Sequence, residues 1–200
     1  DFSCGRGETT AVIGGTGSGK STLAGLILRF HDVTEGSVTV DGMDVRDIRQ
    51  EDLRERIAYV PQKAWLFSGT IADNLLYGNE NAGEEEMRRI LSVAQADFVS
   101  GLANGLDAHV AQGGTNFSGG QKQRLSIARA LMKKADIYIF DDSFSALDFK
   151  TDAALRKALK EEVKDAAVLI IAQRINTILN VDKIIVLDEG KIAGIGRHEE

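Results

Sequence analysis

Ile13-Gly14-Gly15-Thr16-Gly17-Ser18-Gly19-Lys20-Ser21-Thr22 is the stretch from which the fold is read. It fits G-x-x-x-x-G-K-[ST], with Gly14, Gly19, Lys20 and Ser21 in the fixed places. Glycines let the backbone wrap around a polyphosphate and aim successive N–H groups at its oxygens. In such a loop Lys20 reaches the β- and γ-phosphates, Ser21 ligates Mg²⁺, and the following helix points its positive end at the anion. The flanks agree. Thr9 to Ile13 is short, apolar and β-branched, as a buried strand should be. Leu23, Leu26, Ile27 and Phe30 recur at helical spacing. Strand, glycine loop and helix together imply that the chain binds a nucleoside triphosphate.

Composition limits the partners. Two hundred residues, 43% hydrophobic and 27% charged, describe one domain, possibly with subdomains, and a substantial core. A net charge of −6 argues against nucleic acid, whose phosphates demand a basic face. Cys4 is alone, so no internal disulfide or cysteine cage forms, and a reducing compartment fits. The longest apolar run, 166–172, is too short to span a bilayer, and no basic-then-apolar leader opens the chain. The chain starts at Asp1 without methionine and stops at Glu200, which suggests a piece of a longer polypeptide.

Working outward, Gly36 to Met43 alternates and turns at Asp41-Gly42, a hairpin signal. Gln50 to Arg56 reads as a short helix and Ile57 to Val60 as a strand stopped by Pro61. Residues 70–132 read mostly helical, with helices over 71–77, 84–96, near Phe98 and over 119–132. Strands at 137–140, 168–172 and 183–187 alternate with helices at 151–164 and 175–180, and 191–195 adds an edge strand. The expected architecture is a parallel α/β core interrupted by a helical insert.

Two further stretches carry chemistry. Ile137-Tyr138-Ile139-Phe140-Asp141-Asp142 places two carboxylates at the C-terminal end of a buried strand, the edge where ligands sit in open α/β sheets. Asp141 suits a Mg²⁺ partner opposite Ser21, and Asp142 could orient or deprotonate an attacking water. The plain alternative is an acidic helix cap. In Asn116-Phe117-Ser118-Gly119-Gly120-Gln121-Lys122-Gln123-Arg124, Ser118 and Gln121 form a capping box. Paired glycines in a first helical turn cost stability unless something approaches the backbone there, and a helix N-terminus is a second anion site.

With these motifs in order, the chain resembles the nucleotide-binding domain of an ATP-binding cassette (ABC) transporter. The likeness rests on GGTGSGKST (14–22), the glutamine of Val60-Pro61-Gln62, FSGGQ (117–121), IYIFDD (137–142) and Ser145-Ala146-Leu147-Asp148. It implies an α/β P-loop NTPase (RecA-like) parallel-sheet core with a small antiparallel β part and an inserted α-helical subdomain. Residues 1–200 would be one ABC ATPase domain, with 1–69 and 133–200 the α/β core and 70–132 the helical subdomain carrying the signature.

The resemblance also implies cofactors, sites and partners. ATP would lie on Gly14, Gly15, Thr16, Gly17, Ser18, Gly19, Lys20, Ser21 and Thr22, with Mg²⁺ held by Ser21, Gln62 and Asp141. Lys20, Gln62, Asp142 and Gln173 would serve catalysis. Two such domains would pair head to tail, so that Ser118, Gly119, Gly120 and Gln121 meet the γ-phosphate held by the partner. The stretch 66–75 (LFSGTIADNL) is similar to exporters with fused membrane domains. Residues 107–114 fall where exporters meet their coupling helices. This implies a domain on the cytoplasmic face of the cell membrane, joined to transmembrane domains of the same polypeptide, with no nucleic acid partner. The aromatic that stacks on adenine would lie upstream of Asp1.

Two positions depart from the pattern. Asp142 stands where glutamate is usual, and a carboxylate retracted by about 1 Å can lose on the order of a hundredfold in rate. Gln173 stands where histidine is usual, and glutamine can donate a hydrogen bond but cannot become cationic. Both affect one step, so the expectation is a site that binds ATP and hydrolyses it slowly, within a heterodimer. The alternatives are a homodimeric active exporter domain, a soluble ABC-type ATPase acting on nucleic acid or the ribosome, and an importer subunit on its own chain.

Overall fold

The computed structural model describes residues 1–198; the last two positions of the expected 133–200 segment, Glu199 and Glu200, lie outside them. The chain divides into two compact units, one comprising 1–59, 135–142 and 165–200, the other 60–134 and 143–164.

The first unit is built on a six-stranded sheet. Its strands are β1 (Thr9–Gly14), β4 (Ile57–Val60), β7 (Ile137–Asp141), β8 (Ala167–Ile171), β9 (Lys183–Asp188) and β10 (Lys191–Gly196), in the order β10-β9-β1-β8-β7-β4. β9, β1, β8 and β7 run parallel, and β10 returns antiparallel along β9 with a register shift between Ile192 and Gly194. Bare apolar strands belong at the centre of such a sheet, where both faces are covered. Val12, Ile139 and Ile185 are accordingly at 0% exposure, in a cluster with Ala24 and Leu28 from the α1 side and Leu53 of α2. Helix α1 (Lys20–Ile27) follows the glycine loop, and α2 (Gln50–Glu55) precedes β4. Between them β2 (Thr39–Val40) and β3 (Met43–Asp44) form the expected hairpin, turning through Asp41 and Gly42, both at positive φ.

The second unit is mainly helical: α3 (Ile71–Leu76), α4 (Glu84–Val93), α5 (Gly119–Met132) and α6 (Phe149–Glu162). Thr70 and Asp73 cap α3 reciprocally, and Asp148 caps α6 by accepting from the Thr151 N–H at 2.9 Å. Arg89 and Glu162 join α4 to α6 through two hydrogen bonds of 2.8 and 3.0 Å. Gly78 allows a close approach, since a Cβ there would run into the Arg129 carbonyl and the Met132 side chain.

Several bounds shift by a residue, and the larger differences from expectation are these. α4 stops at Val93, not Ala96, because Gln95 adopts φ 59° and the Ala96 and Gln95 N–H groups bond back to the Leu91 and Ser92 carbonyls, a left-handed helix stop. α6 spans Phe149–Glu162 rather than 151–164 because its cap is Asp148. The helix expected at 175–180 is a single 3₁₀ turn, Ile175–Ile178. A two-stranded antiparallel ribbon, β5 (Gly69–Thr70) with β6 (His109–Val110), had no alternation long enough to announce it.

Candidate functional site: a phosphate loop at the sheet's carboxyl edge

Register sets the site of the first unit. Val12 of β1 and Asp141 of β7 both align with Ile171 of β8, which lies between their strands. Just past that row the chain enters the glycine loop after Gly14, Asp142 after Asp141, and Gln173 after Ala172. Sequence reasoning placed these on separate strands. The β1-β8-β7 order makes them neighbours at the edge where α/β sheets bind ligands.

The loop has the conformation its composition suggested. Gly17 and Gly19 adopt φ 78° and 99°, a region costly for residues with a Cβ. A Cβ on Gly14 would collide with the Leu187 carbonyl and come within 2.5 Å of Ser18 Oγ, whereas one on Gly15 would meet nothing. Gly14 is therefore required by the fold, and Gly15, with Thr16 and Gly17, is exposed. Ser18 is buried; its N–H reaches the Gly15 carbonyl (3.2 Å), and its own carbonyl accepts from Gly190 (3.1 Å). The turn after β9 thus braces the loop, a contribution missed in the sequence because nothing there showed β9 beside β1. Lys20 is 7% exposed, its ammonium donating to the Gly14 and Gly15 carbonyls at 2.7 and 2.8 Å. Ser21 and Thr22 are exposed in the first turn of α1.

Asp141 is 4% exposed. Its Oδ1 accepts from Ser21 Oγ at 3.3 Å and its Oδ2 from the Tyr59 hydroxyl at 3.2 Å. Burial, and then the Asp141 charge, push the Tyr59 phenol up to about 12, so it stays a donor. Asp142 is half-buried with φ 48°, a left-handed conformation that Asp tolerates better than most residues, and its N–H donates to the Ile171 carbonyl at 2.7 Å. Its backbone is therefore tied to β8. Gln173 is exposed.

A Mg²⁺-nucleotide fits this arrangement. Among the described residues no group of three or more His, Cys, Asp or Glu side chains could hold a metal alone. A cation at Ser21 and Asp141 would need phosphate oxygens and water to complete its shell, which is how Mg²⁺ is usually bound beside a nucleotide.

The remaining expected residues lie in the second unit. Gln62 is exposed beyond Pro61. Ser118 caps α5, its Oγ accepting from the Gln121 N–H (3.2 Å) while Gln121 Oε1 accepts from the Ser118 N–H (3.0 Å). Ser118 and Gly119 are exposed. A Cβ on Gly119 would meet nothing within 4 Å, and one on Gly120 would sit 3.3 Å from the Ala146 carbonyl. The same unit carries an exposed aromatic surface. The Phe67 and Tyr77 rings lie 4.4 Å apart, tilted by 31°, and the Arg129 guanidinium lies 5.3 Å over Phe67 while donating to the Trp65 carbonyl. Trp65, Phe67 and Tyr77 are 47%, 42% and 66% exposed.

The parallel sheet, the glycine loop and the buried Asp141 carboxylate accepting from Ser21 give the chain the P-loop nucleoside triphosphatase fold. It belongs to the ABC transporter family, whose model matches residues 1–145. It is 53% identical, over 96% of its length, to an uncharacterized ABC transporter ATP-binding protein of Mycobacterium tuberculosis (strain ATCC 25618 / H37Rv). It is 45% identical over 97% of its length to the ATP-dependent lipid A-core flippase of Desulfotalea psychrophila. A bacterial Atm1-family ABC exporter with ATP bound superposes with a TM-score of 0.95 at 38% identity, over 99% of this chain and 35% of that one. The chain spans about a third of the length of the curated relatives it matches, 34% in both cases above. No helix among the described residues is long and apolar enough to cross a membrane.

Proposed function

We propose that the chain is the ATP-driven motor domain of an exporter, on the cytoplasmic face of the cell membrane and joined to transmembrane domains of the same polypeptide. The observation that carries this reading is the meeting, at one sheet edge, of the phosphate loop, the Ser21–Asp141 pair, Asp142 and Gln173. The exporter and flippase relatives support the transport role. The exposed Trp65, Phe67 and Tyr77 surface suits the membrane part, since exposed apolar patches mark interaction sites.

Bound Mg·ATP supplies the phosphoryl group and the metal charge. Residues 14–19 offer N–H groups to the phosphates, and Lys20 neutralises the β- and γ-phosphates. Ser21 and Asp141, with Gln62, would hold Mg²⁺. Asp142 would orient the attacking water, and Gln173 would donate a hydrogen bond to the γ-phosphate. The whole of 1–200 acts as one ABC ATPase domain, with 1–69 and 133–200 its α/β core and 70–132 the helical part. A second ABC ATPase domain, on a different subunit, takes Ser118, Gly119, Gly120 and Gln121 onto its own γ-phosphate. The exposed, Cβ-free N-terminus of α5 supports that approach.

The domain's own site holds ATP and hydrolyses it slowly. The Asp142 N–H is tied to Ile171, so the backbone does not move forward to offset the missing methylene. Gln173 brings no positive charge to the transition state. In the full-length protein purified as a homodimer, turnover should be slow. Asp142→Glu combined with Gln173→His should raise it by on the order of a hundredfold. Fast turnover by the unmodified homodimer would overturn the slow-site reading, and failure to bind ATP would overturn the motor reading as a whole.

A further inference from the structure

The carboxylate of Asp141 is gripped from two sides, and only one grip was expected. Ser21 takes Oδ1, and the Tyr59 hydroxyl, reaching from β4, takes Oδ2. A carboxylate turns about its last torsion in a broad two-fold well, so one hydrogen bond alone leaves its second oxygen free to swing. At 4% exposure little water is on hand to hold that oxygen instead. The phenol is itself fixed. Its ring meets Phe30 edge-on at 6.2 Å and 76°, and Phe30 lies 5.4 Å beneath the Arg54 guanidinium.

We propose that Tyr59 is a positioning residue for the divalent cation of the nucleotide site, its O–H locking one oxygen of Asp141 so that the other stays turned toward Ser21 and the metal. This rests on the reading that Ser21 and Asp141 hold Mg²⁺. Groups that orient a metal-binding carboxylate typically change metal affinity by ten- to a hundredfold when removed. Tyr59→Phe keeps the ring against Phe30 and removes only the donor.

The test uses the full-length protein and a fluorescent ATP analogue, titrated with Mg²⁺ from EDTA, with the thermal unfolding midpoint recorded alongside. For Tyr59→Phe the Mg²⁺ concentration at half-effect should rise about tenfold, with analogue affinity in EDTA and the unfolding midpoint unchanged. Asp141→Asn, as reference, should abolish the Mg²⁺ effect. If the unmodified protein shows no Mg²⁺ effect, the metal reading fails and this proposal with it. If it does, and Asp141→Asn abolishes it while Tyr59→Phe matches the unmodified protein, the Tyr59 role alone is overturned. A Tyr59→Phe protein with a lowered unfolding midpoint and an unchanged Mg²⁺ half-effect also overturns it, leaving the tyrosine a role in packing only.

Discussion

Single side chains in this molecule do work that their immediate neighbours in sequence do not reveal. Asp44 accepts from the Arg46 N–H at 2.9 Å and from the Arg46 guanidinium at 3.0 and 2.7 Å. The guanidinium first, then the backbone N–H, lowers its carboxyl from 3.8 to about 2. The folded value lies below the unfolded one, so this contact's contribution is complete above the unfolded value and is lost as pH falls from about 4 toward 2. The Arg46 amide resonance should therefore titrate with a midpoint near 2; a midpoint near 4 would show that the contact does not hold the charge. Asp44 lies one residue past the hairpin signal of 36–43, and no motif marked it. Tyr59 was readable only as part of a strand, because its partner Asp141 stands 82 residues away. Asp142 and Gln173 stood out as departures from a pattern, but the tie between the Asp142 N–H and Ile171 required β7 and β8 to be seen side by side.

Elements were easier to read than the contacts between them. β1, α1, the hairpin, β4 and α5 came from periodicity, glycine and capping signals, and their positions agree closely with those expectations. The misses have local causes: a left-handed Gln95 ends α4 without glycine, and two-residue strands carry too little alternation to detect. α5 offers a test at this scale. Gly119 has open space where a Cβ would go, so its presence is not required by packing. Gly119→Ala should therefore leave the fold intact and stabilise α5 by up to about 1 kcal/mol. It should nevertheless weaken ATP-driven dimerisation of the full-length protein, because the methyl would stand in the way of the partner's phosphate. Thermal unfolding together with sedimentation in Mg·ATP would decide. Normal dimerisation of this variant would remove the α5 N-terminus from the interface. Ser118→Ala is the complementary change, with about 1 kcal/mol lost from the helix cap.

For the whole molecule, charge balance and order of assembly matter most. With 24 Lys and Arg against 30 Asp and Glu, the chain lacks the basic excess that phosphate backbones require. It should not retard duplex DNA or RNA in a gel at about 0.15 M salt, nor should either polymer speed its ATP turnover. Retardation that weakens steeply with added salt would favour a soluble ATPase acting on nucleic acid. The order of assembly follows from β1. That strand carries the phosphate loop, yet it pairs with residues 168–171 on one side and 183–187 on the other. Such pairings have high contact order and form late. At about 5–20 residues per second of synthesis, the loop emerges from the ribosome on the order of ten to thirty seconds before the strands that flank it. During that interval the nascent chain has its phosphate-binding segment but no sheet to hold it. Nucleotide binding is therefore a property the growing chain acquires only late in this region's translation, and a pause or truncation before residue 168 would yield a polypeptide with the complete glycine loop and neither of the strands that flank it.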